Sequence, residues 1–149
     1  MMEKLDVKDK YYTPSIEEFH VGFQYEDDAS GLAGGRENWQ PSTVMHPNNI
    51  IGVQDFLKSN SIRVKYLDKY DIEELGWEYS GMLDVDLHTF KLHIQSEPDT
   101  DIAKDYFHLR YEDYTQRILI TDGKYEHYRF FGEIKNKSEL MILMKQLGI

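Results

Sequence analysis

The sequence predicts an α+β protein: one domain over residues 1–149, a mostly antiparallel β-sheet with a C-terminal amphipathic helix packed on one face. Three observations predict it. The runs Tyr106–Tyr111, Gln116–Thr121 and Tyr125–Ile134 are rich in aromatic and β-branched residues, as strands are. Asp122-Gly123 separates the last two, and Asp-Gly suits the positive φ angles of a two-residue hairpin turn. After them Leu140, Leu143, Met144 and Leu147 recur at helical spacing and form one apolar stripe. That helix is expected over Lys137–Leu147, with Asn136 and Glu139 at capping-box spacing and Gly148 as its stop. A two-residue turn would place Thr121 opposite Lys124, Ile120 opposite Tyr125, Leu119 opposite Glu126 and Ile118 opposite His127.

The other elements follow from the N-terminus. Residues Met1–Lys10 are charged and expected to fray. Ser15 and Glu18 have capping-box spacing after Pro14, which predicts a short helical turn. Phe19, Val21, Phe23 and Tyr25 alternate with smaller or polar residues, so a half-buried strand is expected there, with Gly22 as a bulge. Glu26–Asn49 reads as a long loop, acidic at its start and Gly-rich in the middle, with Pro41 and Pro47 against regular structure. A loop of this length without regular structure is usually functional or disordered. Its specific chemistry is Arg36, Trp39 and His46, with Trp39 either an anchor onto the core or a contact residue. A short helix is expected within Ile50–Ser59 and a strand over Ser61–Leu67. In that strand Ile62, Val64 and Tyr66 share one face, and Arg63 and Lys65 the other. Asp71 and Glu74 suggest a second capping box before Gly76. Trp77–Gln95 should be an extended hairpin, irregular near His88-Thr89, followed by a turn at Ser96–Asp101.

Composition narrows the function. The chain has 149 residues, 40% hydrophobic and 13% aromatic, which is globular. Its formal net charge of −10 repels phosphate backbones and anionic lipid, so neither direct nucleic-acid binding nor membrane docking is expected. The charge serves solubility, or an acidic surface that occupies a basic groove. Absence of cysteine excludes disulfides and thiolate chemistry. No signal-peptide pattern or bilayer-length apolar run is present, so the expectation is a soluble chain in the cytoplasm of a host cell, with virion association left open.

Three segments read together, YYTPSIEEFHVGFQYE, SIRVKYLDKYDIEELGW and GEIKNKSELMILMKQLGI, resemble a group of small uncharacterised proteins from tailed phages and prophages of gut Bacteroidota. The resemblance implies a phage or prophage setting. It carries no activity and no functional residues.

Candidate chemistry is sparse. Asp84, Asp86 and His88 would share one face of a continuous strand, and carboxylate with imidazole suits zinc, manganese or iron. A solvated polar strand face gives the same spacing. His20, His108 and His127 could each join a carboxylate in acid–base chemistry, but histidine among aromatic strands also serves as packing. No GxSxG, P-loop or HExxH motif occurs, and GLAGG is not a dinucleotide fingerprint. Arg110, Arg117 and Arg129 fall on adjacent expected strands with Tyr106, Tyr111, Tyr125 and Tyr128, which makes a candidate face for a small anion or a partner loop. The competing reading pairs these arginines with Glu112, Glu126 or Glu133. The expected function is a non-enzymatic phage or prophage accessory protein acting through a protein–protein interface. The alternatives are a small-anion or nucleotide-signal binding module on the Arg/Tyr face and, third, a metal-dependent hydrolase. A protein partner and no cofactor are implied, and the oligomeric state is open.

Overall fold

A computed structural model describes residues 10–28, 38–93, 106–122 and 127–149. The α+β class holds, with the strands in two antiparallel sheets. The chain divides into two compact units, Met1–Tyr66 and Leu67–Ile149, each with its own core. The Gly-rich stretch with Arg36, the start at 1–9 where fraying is expected, the turn expected at Ser96–Asp101, and Tyr125 lie outside the described residues.

In the first unit, β1 (Tyr11–Tyr12), β2 (Gln24–Asp28), β3 (Trp39–Thr43) and β4 (Ile62–Lys65) form a sheet in the order β1-β4-β2-β3. The expected turn at Ser15 is present as a 3₁₀ turn over Ile16–Glu18, and the Ser15 N–H donates to Glu18 Oε2 at 2.7 Å. The expected strand over Phe19–Tyr25 begins only at Gln24. Before it, Phe19 and Phe23 are buried with their rings 4.7 Å apart, while Val21 is exposed. Gly22 at φ +93° turns the chain between them, a conformation that glycine adopts without steric cost. The alternation came from two core aromatics either side of a turn, not from a pleat.

The expected loop Glu26–Asn49 also needs correction. Its residues 39–43 form β3, paired with β2 from Gln24↔Thr43 to Asp28↔Trp39. Pro41 misled the sequence reading, but β3 is an edge strand, where a missing N–H costs no ladder bond. The helix expected within Ile50–Ser59 is α1 (Asn49–Lys58), which buries Val53 against Phe23, Val44, Ile62 and Val64.

In the second unit, β5 (Glu78–Asp84), β6 (Leu87–His93), β7 (Tyr106–Glu112), β8 (Arg117–Asp122) and β9 (Tyr128–Glu133) form a meander. The C-terminal helix, α3 (Lys137–Leu147), has the expected bounds. Asn136 caps it by accepting the Glu139 N–H at 2.9 Å, and Gly148 ends it at φ +72°. Leu140 and Leu143 are buried with Phe90, Leu109, Ile118 and Ile120, and Met144 and Leu147 pack beside them. The short helix α2 (Lys69–Glu74) starts three residues before the expected box: Asp68 is the cap and accepts from the Asp71 N–H at 2.9 Å.

Hairpin geometry reverses the expectation. Only two residues, Val85 and Asp86, join β5 to β6, with Asp86 at φ +65°. The connection at Asp122-Gly123 is longer: the Asp122 N–H donates to the His127 carbonyl at 2.8 Å, and Ile120 opposes Phe130 while Ile118 opposes Gly132. A two-residue turn would have put Arg129 on the face shared by Ile118 and Ile120 and Phe130 on the other. The observed register buries aromatic carbon instead of a guanidinium, which burial energetics favour. The Phe130 ring lies over Gly132, where an added Cβ would come within 2.8 Å of it. The irregularities of the β5–β6 hairpin fall on β5, between Tyr79 and Gly81 and between Met82 and Asp84, not at His88-Thr89.

Candidate functional site

The side chains expected to hold a metal do not share a strand. Asp84 ends β5, Asp86 sits in the turn, and His88 belongs to β6, where it lies 3.3 Å from the Tyr79 hydroxyl. Turn formation broke the continuous strand on which their common face depended. Among the described residues no group of three or more His, Cys, Asp or Glu side chains gathers as metal ligands.

The Arg/Tyr face of the second unit is only partly assembled. Arg110 and Arg117 are exposed on the outer face, but Arg117 stands in register between Glu112 and Glu133. Arg129 lies 3.7 Å from Asp122, and Tyr128 is 77% exposed. Tyr111 points the other way, into the core, where its hydroxyl donates to the Leu67 carbonyl at 2.5 Å. Burial, with the Asp113 carboxylate beside it, pushes the Tyr111 phenol far above its ordinary value. His46 holds the start of α1: its Nδ1 accepts the Asn48 N–H at 3.2 Å and its own N–H donates to Asn49 Oδ1 at 2.9 Å.

A different arginine has the richest surroundings. Alternation in β4 buries Ile62 and Val64 and turns Arg63 to the other face of the four-stranded sheet. Register brings its neighbours to that face. Tyr11 opposes Lys65, Glu26 opposes Arg63, and Pro41 opposes Glu26, which puts Trp39, two residues before Pro41, on the same side. The guanidinium carbon of Arg63 lies 3.7 Å from the centre of the Tyr11 ring and 4.3 Å from that of Trp39. Its Nη2 is 3.3 Å from Glu26 Oε1, and its Nε is buried without a hydrogen-bond partner.

Magnitudes show what holds this clamp. Each ring contributes about 0.5–2 kcal/mol of cation–π attraction, depending on desolvation. The half-exposed pair with Glu26 adds at most about 1 kcal/mol, and the orphan donor costs about 1–3 kcal/mol. The stack therefore roughly balances its own unsatisfied donor, and a fixed, planar cation remains at the floor of an open hollow of about 530 Å³. Tyr11, Tyr12, Thr13, Trp39, Arg63 and Tyr66 are among its lining residues. The Tyr12 and Tyr66 rings meet at 4.7 Å.

Among the described loop residues singled out from the sequence, Trp39 is thus the one that the structure places in a candidate site, as a strand residue stacked on an arginine. Arg63 was missed. Its strand pattern marked it as outward-facing, and nothing local marked the two rings that close on it.

Comparison with family models, curated proteins and solved structures finds no match. Among the described residues no helix is long and apolar enough to cross a membrane.

Proposed function

We propose that the chain is a non-enzymatic accessory protein that acts through a protein–protein interface, and that the hollow around Arg63 is its centre. One observation carries this reading: a tryptophan, three tyrosines and an arginine converge on one open surface of the first unit. Trp, Tyr and Arg are the residue types that dominate binding energy at protein interfaces, because they combine large rigid contact area with a polar handle. The partner it suits is a protein segment that lays an apolar or aromatic side chain on these rings and offers an acceptor to the guanidinium. The acidic surface as a whole speeds association with basic partners. The resemblance to phage and prophage proteins supplies the setting: a partner from the infected host or from the phage.

The small-anion reading has its best support at this same hollow, because the partly exposed Arg63 guanidinium lines it. In the second unit Glu112 and Glu133 stand in register with Arg117, and Asp122 lies 3.7 Å from Arg129.

Affinity capture from infected cells, with wild type, Arg63→Ala and Trp39→Ala side by side, tests the proposal. A partner recovered by wild type should be lost with both variants, since truncating a central interface residue costs about 2 kcal/mol or more of binding. If Trp39→Ala lowers the melting temperature but keeps the partner, Trp39 only anchors β3 and the interface lies elsewhere. A melting temperature that rises with added nucleotide or phosphate, and not in Arg63→Ala, would favour the small-anion reading.

A further inference from the structure

The four-stranded sheet has a second face, whose chemistry differs from that around Arg63. Alternation in β2 puts Tyr25 and Asp27 on the side of the buried Ile62, away from Glu26 and Arg63, and Ser42 stands in register with Tyr25. Helix α1 packs on this face through Val53 and Phe56. The two do not close completely. A hollow of about 320 Å³ remains, with Tyr25, Asp27 and Ser42 on the strand side and Asn49, Gly52 and Phe56 on the helix side. The buried Val53 and Ile62 also line it, as does the exposed Met45, a flexible apolar side chain. Gly52 helps to keep the space open. Glycine weakens a helix interior relative to alanine, and no close contact requires it here, since an added Cβ would meet nothing within 4 Å. Asp27 brings the charge. It is half-buried and has no hydrogen-bond or ion-pair partner among the described residues.

We propose that this hollow takes a lysine side chain of the protein partner, a proposal that rests on the interface reading above. The edge strand β3 borders both hollows: Trp39 lines the one around Arg63, and Ser42 and Thr43 line this one. A partner lying along β3 therefore reaches both. Lysine has an apolar four-carbon stem and a compact ammonium with three donors in no fixed plane. The stem matches the carbon of Tyr25, Phe56 and Val53. The ammonium suits the Asp27 carboxylate and the Ser42 hydroxyl, which are diagonal neighbours on one face of β2 and β3. A carboxylate set among apolar carbon attracts a cation more strongly than one in bulk water, because less water screens the pair. A single carboxylate is a poor metal site, and no group of three or more His, Cys, Asp or Glu gathers as metal ligands among the described residues. The formal net charge of −10 draws basic segments toward the chain.

The test is amide NMR of the full chain titrated with Nα-acetyl-lysine methylamide and, separately, with the norleucine analogue, which keeps the stem and lacks the charge. The lysine compound should shift the amides of Asp27, Ser42 and Gly52 saturably. The norleucine compound should bind about tenfold or more weakly, the difference made by a charge-assisted hydrogen bond. Asp27→Asn, which keeps the side chain's shape, should abolish that preference. Gly52→Phe should block both compounds while the melting temperature falls no lower than that of wild type, because phenylalanine is the better helix former. No saturable shift at these amides overturns the proposal. So does equal affinity for the two compounds, an undiminished lysine preference in Asp27→Asn, or undiminished binding to Gly52→Phe. The titration needs no partner, so its failure strikes the lysine site alone, while failure of the interface reading shows separately in the capture experiment with the Arg63 and Trp39 variants.

Discussion

The two units solve the same problem, a sheet with helical cover, by opposite connectivity. In Leu67–Ile149 every strand pairs with the next one along the chain, β5 to β9 in order. In Met1–Tyr66 the order is β1-β4-β2-β3, and Tyr11 finds its partner at Lys65. The first scheme needs only short loop closures, so each hairpin is specified by residues near it. The second closes long loops before it gains anything, but it collects Tyr11, Glu26, Trp39 and Arg63 from four strands onto one surface. The local meander yields a legible core, and the non-local sheet yields the site.

The largest effects test whether the two cores are separate. Phe23 is 1% exposed and packs on Phe19 and Tyr25, so Phe23→Ala should cost about 3–5 kcal/mol. Leu140 is wholly buried under the other sheet, and Leu140→Ala should cost about 2–5 kcal/mol. Hydrogen exchange under native conditions should show the first substitution exposing amides of β2 and β4, and the second those of β6 to β8. Equal loss of protection in both sets would make the two cores one cooperative unit and end the contrast.

A smaller effect sharpens the account of the second core. Tyr111→Phe leaves the buried Leu67 carbonyl without its donor and should cost about 1–3 kcal/mol near neutral pH. The pH dependence has a definite sign. The folded phenol holds its proton more tightly than the unfolded one, so its contribution is complete below the unfolded value of about 10 and is lost as pH rises beyond it. Denaturation midpoints taken from pH 8 to 11 should fall for wild type and fall less for Tyr111→Phe. Parallel curves would mean that Tyr111 does not report this burial.

The smallest expected effect concerns a local signal. Asn136→Ala removes the side-chain acceptor of the Glu139 N–H and should cost about 0.5–2 kcal/mol by urea denaturation, while Asn136→Ser should cost little. A full loss with serine would show that Asn136, 2% exposed, acts through packing and not through its cap.

What the sequence by itself determined is what short-range bonds decide. The bounds of α3 were legible because Asn136, Glu139 and Gly148 state them within one turn of each end. β7 and β8 were legible because their alternation meets one continuous core, Leu109 and Tyr111 against Ile118 and Ile120. The tertiary structure decided the rest. Whether the chain after Asp122 turns in two residues or more depends on which of Arg129 and Phe130 goes to the buried face, and that face exists only once α3 is docked. Pro41 can stand in a strand only because β3 is an edge, which is a property of the whole sheet. Arg63 becomes a clamped cation only when β1 and β3 bring a ring to each side of it. Tyr11, Trp39 and Arg63 are far apart along the chain, and no propensity or spacing encodes a contact that two strand pairings must first create.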